Sequence, residues 1–272
     1  MDSSQTSISD YSEYRDLCRN ASSQVEVFSN FRSHPAYNAI LEHVTPELGF
    51  AYITSICQNS PHFISYIEKF KLNDRFGDPL LHEYFEPIGK ISPTTLRYIK
   101  VLSDLTFSFG DLSGMNIVEI GGGYGGQCAI ISQLYSFKSY TIIDLPEPGL
   151  LQKRFLDAMG VKNVHFITPE QARWPFQNDL LISNYALSEV NKSLADIYIN
   201  NYLIPALRGY LTCNYINPAC YTKEEYMKKL PGSVAVAEFP ITHPDNYILT
   251  WRNPCADFIS DSLRLPARIN AA

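Results

Sequence analysis

The stretch that decides the fold is residues 117 to 126, IVEIGGGYGG, where five glycines stand within ten residues directly behind an apolar run. It satisfies two fingerprints. The spacing from Gly121 fits G-x-G-x-x-G, the loop that binds dinucleotides, and the spacing from Glu119 fits E-h-G-x-G-x-G, the loop that binds S-adenosylmethionine. The glycines alone therefore leave the cofactor open.

Predicted strands and helices alternate after this stretch. MNIVEI, SYTIIDL, VHFIT, NDLLISNYAL and GYLTCNYI have the short apolar pattern of buried strands, and GQCAIISQLY and PGLLQKRFLDAMG have the pattern of helices. VAVAEFP and NYILTW are separated by a turn through Pro244 and Asp245, so they predict an antiparallel hairpin. The alternation indicates an α/β fold with a parallel sheet and helices on its faces.

The chain before residue 111 has a different character. AYNAILEHV, LGFAYITSI and HFISYIEKF space their apolar residues at three and four, which predicts amphipathic helices. KLNDRFGDPLLHEY predicts a loop, and Ser92-Pro93 starts another helix. We therefore expect a helical cap or substrate region over residues 1–110 and a cofactor-binding domain over residues 111–272.

Glu119 distinguishes the two cofactors. A carboxylate two positions before the first glycine would repel the pyrophosphate of a dinucleotide, whereas it attracts the ammonium and sulfonium of S-adenosylmethionine. A carboxylate that only caps the turn is the structural alternative. The helical region before the first strand and the closing hairpin agree with a Rossmann-like class I methyltransferase sheet, order 3-2-1-4-5-7-6 with the last strand antiparallel.

Several residues at the carboxyl ends of the predicted strands are expected to contact this donor. Asp144 lies 25 residues after Glu119 and suits the ribose hydroxyls, although a dinucleotide would need the same aspartate. Tyr124 is expected to pack over the methionine portion, and Thr168 to border the adenine. The predicted donor-binding set is Glu119, Gly121, Gly123, Tyr124, Gly125, Asp144, Leu145, Thr168 and Asn184.

Six blocks in order over about residues 70 to 252 resemble the bacterial sugar O-methyltransferase family: NDRFGDP, ISPTTLRYIKVLSDL, VEIGGGYGGQ, IIDLPEPGLLQKRFL, LISNYALSEV and FPITHPDNYILTW. The chain is also similar to a chlorella-virus methyltransferase domain that adds O-methyl groups to capsid glycans. The resemblance implies S-adenosylmethionine as donor and a sugar hydroxyl, such as one of rhamnose, as acceptor. Where the family often reads E-[DE]-x-P before the hairpin, this chain has Ala237-Glu238-Phe239-Pro240.

Methyl transfer to a hydroxyl is an in-line displacement that needs alignment and a base to take the hydroxyl proton. Four residues on loops or in the cap are candidate bases: Glu189, His243, Asp74 and His82. Each also has a structural interpretation: a helix-start carboxylate, a solvated turn, an Asx turn and an ordinary helical histidine, respectively. The candidate acceptor-binding residues are Asn73, Arg97, Tyr98 and Tyr185, with a structural ion pair as the alternative for Arg97.

The composition bounds the partners and the location. The net charge is −6 and no block of five like charges occurs, so we expect neither nucleic acid nor a membrane as partner. The six scattered cysteines include no C-x-x-C pair, and the polar, acidic N-terminus has no signal-peptide pattern. These features predict a cytoplasmic protein, in the host cytoplasm if viral, without a required metal. The oligomeric state stays open.

Two other functions remain compatible with the sequence. The overlapping dinucleotide fingerprint allows a nicotinamide-dependent oxidoreductase, NAD(P) being its cofactor. A non-catalytic module that keeps the fold as a binding platform is the third possibility.

Overall fold

The computed structural model describes residues 12–173, 178–214 and 219–253. Its α-helices are α1 Ser12–Ser23, α2 Val25–Asn30, α3 Pro35–Asn38, α4 Pro46–Asn59, α5 Ile67–Phe70, α6 Pro93–Phe109, α7 Gly126–Ser132, α8 Pro146–Ala158, α9 Ala186–Glu189, α10 Lys192–Tyr198 and α11 Lys223–Lys229. Pro61–Tyr66 and Lys71–Arg75 are 3₁₀-helices, and Ile199–Leu203 is a π-helix.

The strands form two sheets. β1 His82–Glu83 and β2 Lys90–Ile91 pair as a small antiparallel ribbon. The remaining strands are β3 Asn116–Ile120, β4 Ser139–Ile143, β5 Val164–Ile167, β6 Leu180–Asn184, β7 Arg208–Cys213, β8 Val234–Ala237 and β9 Tyr247–Arg252. They lie in the order β5-β4-β3-β6-β7-β9-β8, parallel from β5 to β7, with β9 antiparallel to both of its neighbours.

This order confirms the predicted α/β fold, because in the chain order of the seven strands it reads 3-2-1-4-5-7-6. The central strand β3 is buried over four of its five residues, as expected for a strand covered by helices on both faces. The chain winds outward from β3 through β4 and β5, then returns to β6 on the other side of β3. The carboxyl ends of β3 and β6 therefore border the switch point where ligands bind in open α/β sheets.

The region before β3 is helical as predicted, but its segments are shorter. AYNAILEHV forms only α3 before the chain turns, since the amide of Asn38 donates to the carbonyl of Glu42 at 3.2 Å in place of a further helical turn. HFISYIEKF divides into a 3₁₀-helix and α5. The predicted loop KLNDRFGDPLLHEY begins with a 3₁₀-helix and ends in β1, so His82 is in a strand and not in a helix. Residues 215 and 216 of the predicted fifth strand lie outside the described residues.

The hydrophobic core divides into two clusters. One cluster joins Tyr14, Phe31 and Ile53 of the N-terminal helical region to Ile117 and Ile142 of the sheet. α1 also packs along α8, and the guanidinium of its Arg15 donates to Glu147 at 3.0 Å. The predicted division at residue 110 stays a prediction, and the two segments on either side of it share one core.

Candidate active site

The glycine turn follows β3 and has a conformation that only glycine adopts easily. Gly121, Gly123 and Gly125 have φ values of +78°, +57° and +96°, in the left-handed region. A β-carbon on Gly121 would also overlap that of Ala186, at the start of α9. The turn therefore needs glycine for backbone conformation and for the close approach of the segment after β6.

A cavity of about 400 Å³ lies at the carboxyl ends of β3, β4 and β6 and is covered by the N-terminal helical region. This volume is within the range of small-molecule sites, roughly 300–1,000 Å³. Gly121 to Gly123 form part of its floor, together with Glu119, Asp144 and Asn184. The apolar side chains of Leu41, Val44 and Leu48 face it from the cap. The cavity thus contains most of the predicted donor site.

The carboxylate of Asp144 is held against the glycine turn. It accepts the backbone N–H of Gly122 at 3.0 Å, that of Leu145 at 2.8 Å and the side-chain amide of Gln152 at 2.7 Å. Burial raises the pKa of Asp144 to about 6, and these hydrogen bonds oppose the rise. The side chain is therefore ionised at neutral pH, in a fixed position from which it can accept hydroxyl groups of a ligand.

Glu119 is the more unusual carboxylate. It is 1 % exposed and lines the cavity, and its Oε2 accepts the hydroxyl of Tyr140 at 2.9 Å. Burial raises the pKa of Glu119 to about 8; the Tyr140 hydrogen bond opposes this rise, and the nearby charge of Asp144 adds to it. A buried carboxyl in this condition binds either a proton or a ligand cation.

Tyr124 lies in the core and is absent from the cavity lining, which corrects the expectation that it packs over a bound cofactor. Its ring is fully buried against Phe155, with the guanidinium of Arg32 4.7 Å from the ring centroid. Its hydroxyl accepts the amide N–H of Asn73 at 2.8 Å. The ring of Tyr98 also packs edge-on against the Tyr124 ring, with the centroids 5.9 Å apart. Tyr124 supports the turn from the protein side.

Asn73 and Asp74 belong to the same buried network, which corrects their assignment to acceptor binding and catalysis. Asp74 accepts the guanidinium of Arg32 at 3.2 Å, the hydroxyl of Thr95 at 2.6 Å and the N–H of Ser92 at 2.9 Å. Arg32 is fully buried, so its charge requires such partners. Neither Asn73 nor Asp74 is among the residues that line the cavity.

Four further predicted residues are absent from the described cavity lining: His82, Leu145, Thr168 and Gly125. His82 lies in β1 of the separate ribbon. The backbone N–H of Leu145 points at Asp144, and that of Thr168 donates to Gln171 at 2.8 Å. Roles for Leu145 and Thr168 beside an adenine stay predictions, as does the role of Gly125 in the turn.

The wall of the cavity also carries several polar side chains. Glu189 accepts the amide of Asn214 at 2.9 Å, and Asn184 accepts the hydroxyl of Thr212 at 3.2 Å. The imidazole of His243 reaches the cavity rim with 63 % of its side chain exposed, and its Nδ1 accepts the N–H of Asp245 at 3.3 Å. Glu189 and His243 therefore lie on the wall of the same cavity.

Arg97 and Tyr98 of α6 also line the cavity. One terminal nitrogen of Arg97 donates to the carbonyl of Leu41 at 3.4 Å, and the guanidinium carbon lies 5.5 Å from the ring centroid of Tyr98. Among the described residues, no carboxylate lies within ion-pair distance of Arg97. The half-buried guanidinium therefore has donors left for a ligand.

No protein-family profile matches the chain. Over 86 residues it is 34 % identical to protein-L-isoaspartate O-methyltransferase of Pyrococcus horikoshii, which is 30 % of this chain and 39 % of that enzyme. Over 54 residues it is 44 % identical to the Pyrococcus abyssi enzyme of the same name, 20 % of this chain and 25 % of the relative. The chain thus matches well under half the length of these relatives.

Solved structures with a related fold include the N-methyltransferase NodS of Bradyrhizobium japonicum in complex with S-adenosyl-L-homocysteine. It has a TM-score of 0.45 and 16 % identity, covering 58 % of this chain and 86 % of NodS. A dimethyladenosine transferase of Plasmodium falciparum has a TM-score of 0.40 and 15 % identity, covering 58 % and 63 %. The strand order decides the fold. The chain has the class I methyltransferase fold.

Methyltransferases of this fold use S-adenosylmethionine as the methyl donor. The turn after the first strand and the aspartate after the second are where the methyltransferase fold places its donor, and both line the cavity. The buried amide nitrogen of Asn184, at the end of the fourth strand of the sheet, has no partner among the described residues. The residues present therefore fit this donor.

Sequence reasoning missed several residues of the cavity. Tyr52 and His43 reach it from the cap, and Thr242 and Asn246 from the β8–β9 connection. Glu238 stands behind them and is 5 % exposed. The sequence offered a signal for Thr242, Asn246 and Glu238. These residues lie on the connection to the last strand, which this fold places near the switch point.

The described residues contain neither a candidate membrane-spanning helix nor a candidate metal-binding cluster. No helix there is long and apolar enough to cross a membrane. No group of three or more histidine, cysteine, aspartate or glutamate side chains in those ranges is arranged to hold a metal ion. The cytoplasmic location stays a prediction.

Proposed function

We propose that the protein is a methyltransferase that transfers the methyl group of S-adenosylmethionine to a hydroxyl of a sugar. The observation that carries the proposal is the pair of carboxylates, Glu119 and Asp144, on either side of a glycine turn in one cavity. Glu119 is the discriminating group, because its ionised form would repel a pyrophosphate, whereas a bound ammonium or sulfonium favours that form. This charge pattern disfavours the oxidoreductase alternative.

The donor-binding roles follow from the positions of the residues. Asp144 accepts ribose hydroxyls, and Glu119 faces the methionine ammonium. The glycine turn lets the backbone approach S-adenosylmethionine closely. The side-chain N–H of Asn184 donates a hydrogen bond to that molecule near its methyl group. S-adenosylmethionine supplies an activated methyl group that the side chains themselves do not provide.

In this proposal the acceptor binds in the same cavity, beside the donor. Arg97, Tyr98 and Tyr185 offer ring surfaces and hydrogen-bond donors, which suit the oxygens of a sugar or an attached phosphate. The helical region before residue 110 serves as the cap over this acceptor. The six sequence blocks shared with sugar O-methyltransferases favour a deoxyhexose such as rhamnose, in a glycan or glycoconjugate.

The chain's contribution to the reaction is alignment and proton removal. Holding the hydroxyl in line with the methyl group contributes several kcal/mol, part of the roughly 7–11 kcal/mol that orientation supplies in favourable cases. Glu189 and His243 are the candidate bases in the cavity that would accept the hydroxyl proton directly. Both lie on the cavity wall, whereas Asp74 and His82 do not.

The test is a binding and transfer experiment on the full chain. We expect S-adenosyl-L-homocysteine to bind in calorimetry and labelled S-adenosylmethionine to methylate at least one member of a panel of deoxyhexosides. Tight NAD binding without S-adenosyl-L-homocysteine binding would favour the oxidoreductase. Donor binding without transfer to any acceptor would favour a non-catalytic module.

A second acceptor belongs in the same assay. The segments shared with protein-L-isoaspartate O-methyltransferases favour an isoaspartyl carboxylate as the rival acceptor. An isoaspartyl peptide therefore accompanies the sugar panel. Methylation of the peptide alone would replace the sugar in the proposal and leave the donor assignment standing.

A further inference from the structure

Tyr185 occupies the position directly after β6, where the chain turns into α9, and its side chain lines the cavity. Its φ of +69° is in a region that a bulky L-residue rarely adopts. Such strain persists only where the surroundings fix it, and it concentrates at functional sites. The contacts of the Tyr185 ring should therefore show what holds it there.

The hydroxyl of Tyr185 donates to Oε1 of the buried Glu238. The other oxygen of Glu238 accepts three donors: the backbone N–H of Thr242 at 3.3 Å, the Thr242 hydroxyl, and the amide of Asn246 at 3.1 Å. Three donors on Oε2 fix the carboxylate so that Oε1 faces the Tyr185 phenol. A buried carboxylate is thus hydrogen-bonded to the phenol of a residue that lines the cavity.

The charged surroundings keep this phenol protonated. Burial and the adjacent Glu238 raise the pKa of Tyr185 above its ordinary value, and the charge of Arg97 only partly opposes them. Tyr185 is therefore not a phenolate base before the reaction. It takes up a proton only if its own proton leaves at the same time, and Glu238 is placed to receive it.

We propose that Tyr185 and Glu238 form a proton relay for the acceptor hydroxyl in the methyl transfer of the proposed function, on which this inference rests. The acceptor oxygen bonds to the methyl carbon as the methyl–sulfur bond breaks, its electron pair remaining on sulfur. The hydroxyl proton passes to the phenol oxygen of Tyr185, and the phenol proton passes to Oε1 of Glu238. Solvent takes the proton from Glu238 after product leaves.

A second polar group supports acceptor binding at this place. Asn246 is 9 % exposed and lines the cavity, and its amide oxygen has no partner among the described residues. Its amide nitrogen already donates to Glu238 and to Thr242. A hydroxyl group of an acceptor beside Tyr185 would supply the missing donor.

The first experiment compares Tyr185→Phe with Tyr221→Phe. Tyr221 donates to Asp196 at 2.8 Å and does not line the cavity, so its variant removes the same type of phenol–carboxylate bond elsewhere. With the fastest deoxyhexoside of the panel, we expect Tyr185→Phe to lower kcat by about 100-fold or more, the usual contribution of proton transfer. Affinity for S-adenosyl-L-homocysteine should stay within about twofold in both variants, and kcat of Tyr221→Phe within about threefold.

The second experiment combines a spectroscopic signal that needs no turnover with the kinetics of Glu238 variants. Protein with tyrosine labelled at Cζ with ¹³C gives a Tyr185 signal, assigned by its loss in Tyr185→Phe. Adding the deoxyhexoside to the complex with S-adenosyl-L-homocysteine should shift that signal, because the phenol oxygen accepts a new hydrogen bond. In Glu238→Gln, kcat should fall as in Tyr185→Phe, and the solvent isotope effect on kcat that we expect for the wild type should be lost. Glu238→Asp should restore part of both.

The outcomes separate the relay from the proposed function. Unimpaired kcat in Tyr185→Phe, with a 100-fold loss in Glu189→Gln or His243→Ala, would overturn the relay and leave the methyltransferase standing. An unshifted Tyr185 signal would also count against it. A wild-type protein that does not bind S-adenosyl-L-homocysteine would overturn the proposed function, and the relay with it.

Discussion

The β-carbon of Ala186 occupies the space that a β-carbon on Gly121 would need, so the segment after β6 closes directly over the glycine turn. The φ of Gly121 is +78°, which adds a second reason for glycine. The turn after the first strand of the sheet and the segment after its fourth strand are therefore fitted to each other.

Gly121→Ala should abolish binding of S-adenosyl-L-homocysteine and lower the free energy of unfolding by about 1–3 kcal/mol, as expected for overlap plus a strained φ. Calorimetry and urea denaturation measure the two effects. Gly149→Ala is the matched control, because nothing lies within 4 Å of a β-carbon there and Gly149 is inside α8. It should be neutral or stabilise the helix by about 0.5–1 kcal/mol.

The double variant Gly121→Ala with Ala186→Gly separates the two causes. Removing the Ala186 methyl relieves the overlap but leaves the left-handed φ. Partial recovery of stability is the expected result. Full recovery would mean that backbone conformation at residue 121 contributes nothing, contrary to the structure.

The stability of the protein should depend on the ionisation of Glu119. Its pKa is raised to about 8 in the folded protein from its ordinary value of 4.5. Its contribution to stability is therefore complete below about pH 4.5 and is lost as the pH rises through about 8. Glu119→Gln should remove this loss, worth on the order of a few kcal/mol. Urea denaturation at pH 6 and pH 9 tests this prediction. The free energy of unfolding of the variant, relative to that of the wild type, should increase from pH 6 to pH 9.

Donor binding should release a proton from the same carboxyl. At pH 7 Asp144, with a pKa of about 6, is already largely ionised, whereas Glu119, with a pKa of about 8, is still largely protonated. A bound ammonium favours the ionised form of Glu119, so S-adenosyl-L-homocysteine should bind more tightly at pH 8.5 than at pH 7. Calorimetry in buffers of different ionisation enthalpy measures the released proton. Glu119→Gln should bind more weakly and release none; release that persists in the variant would place the proton elsewhere.

Arg97 should discriminate between acceptors by charge. Its guanidinium lines the cavity and, in the described part of the chain, lacks a carboxylate partner within ion-pair distance. Arg97→Gln should raise the KM for a phosphate-bearing sugar by roughly 10-fold or more, from the loss of a charged hydrogen bond. The KM for the neutral sugar should change less. Equal changes in KM for both acceptors would mean that Arg97 stabilises the cap and does not contact the phosphate.

The buried charges around Arg32 should be essential for stability. Its guanidinium contacts Glu42 at 2.6 Å and Asp74 at 3.2 Å, and its side chain is fully buried. Arg32→Met leaves two buried carboxylates without their partner, so we expect a loss of about 3–5 kcal/mol in urea denaturation. Arg19→Met is the control, since its ion pairs with Asp16 and Glu147 involve a guanidinium that is 55 % exposed. It should cost roughly 1 kcal/mol or less.

The parts of the molecule that were predictable from sequence depend on local patterns. The alternation of apolar strands and helices gave the parallel sheet, and the glycine turn gave its switch point. Asp144 was predictable because one helix and one strand separate it from Glu119. In each case the physical cause acts over a short stretch of chain.

The parts that were not predictable depend on contacts between distant residues. Asp74 stands in a polar loop sequence, and only its pairing with Arg32, 42 residues earlier, removes it from the cavity. Tyr124 turns into the core because Asn73, 51 residues earlier, meets its hydroxyl there. Glu238 reaches Tyr185 across 53 residues of sequence. No local pattern records such pairings.

The core shared by the cap and the sheet has a consequence for how acceptor preference can change. On α4, Tyr52 lines the cavity and at the same time belongs to the core cluster that contains its neighbours Ile53 and Ile56. α6 is built in the same way, with Arg97 on the cavity and Leu96 in the core. A new acceptor shape at the cap therefore requires adjustments in the packing that keeps the chain folded. Divergence toward other acceptors should proceed through paired changes, one on the cavity and one beneath it.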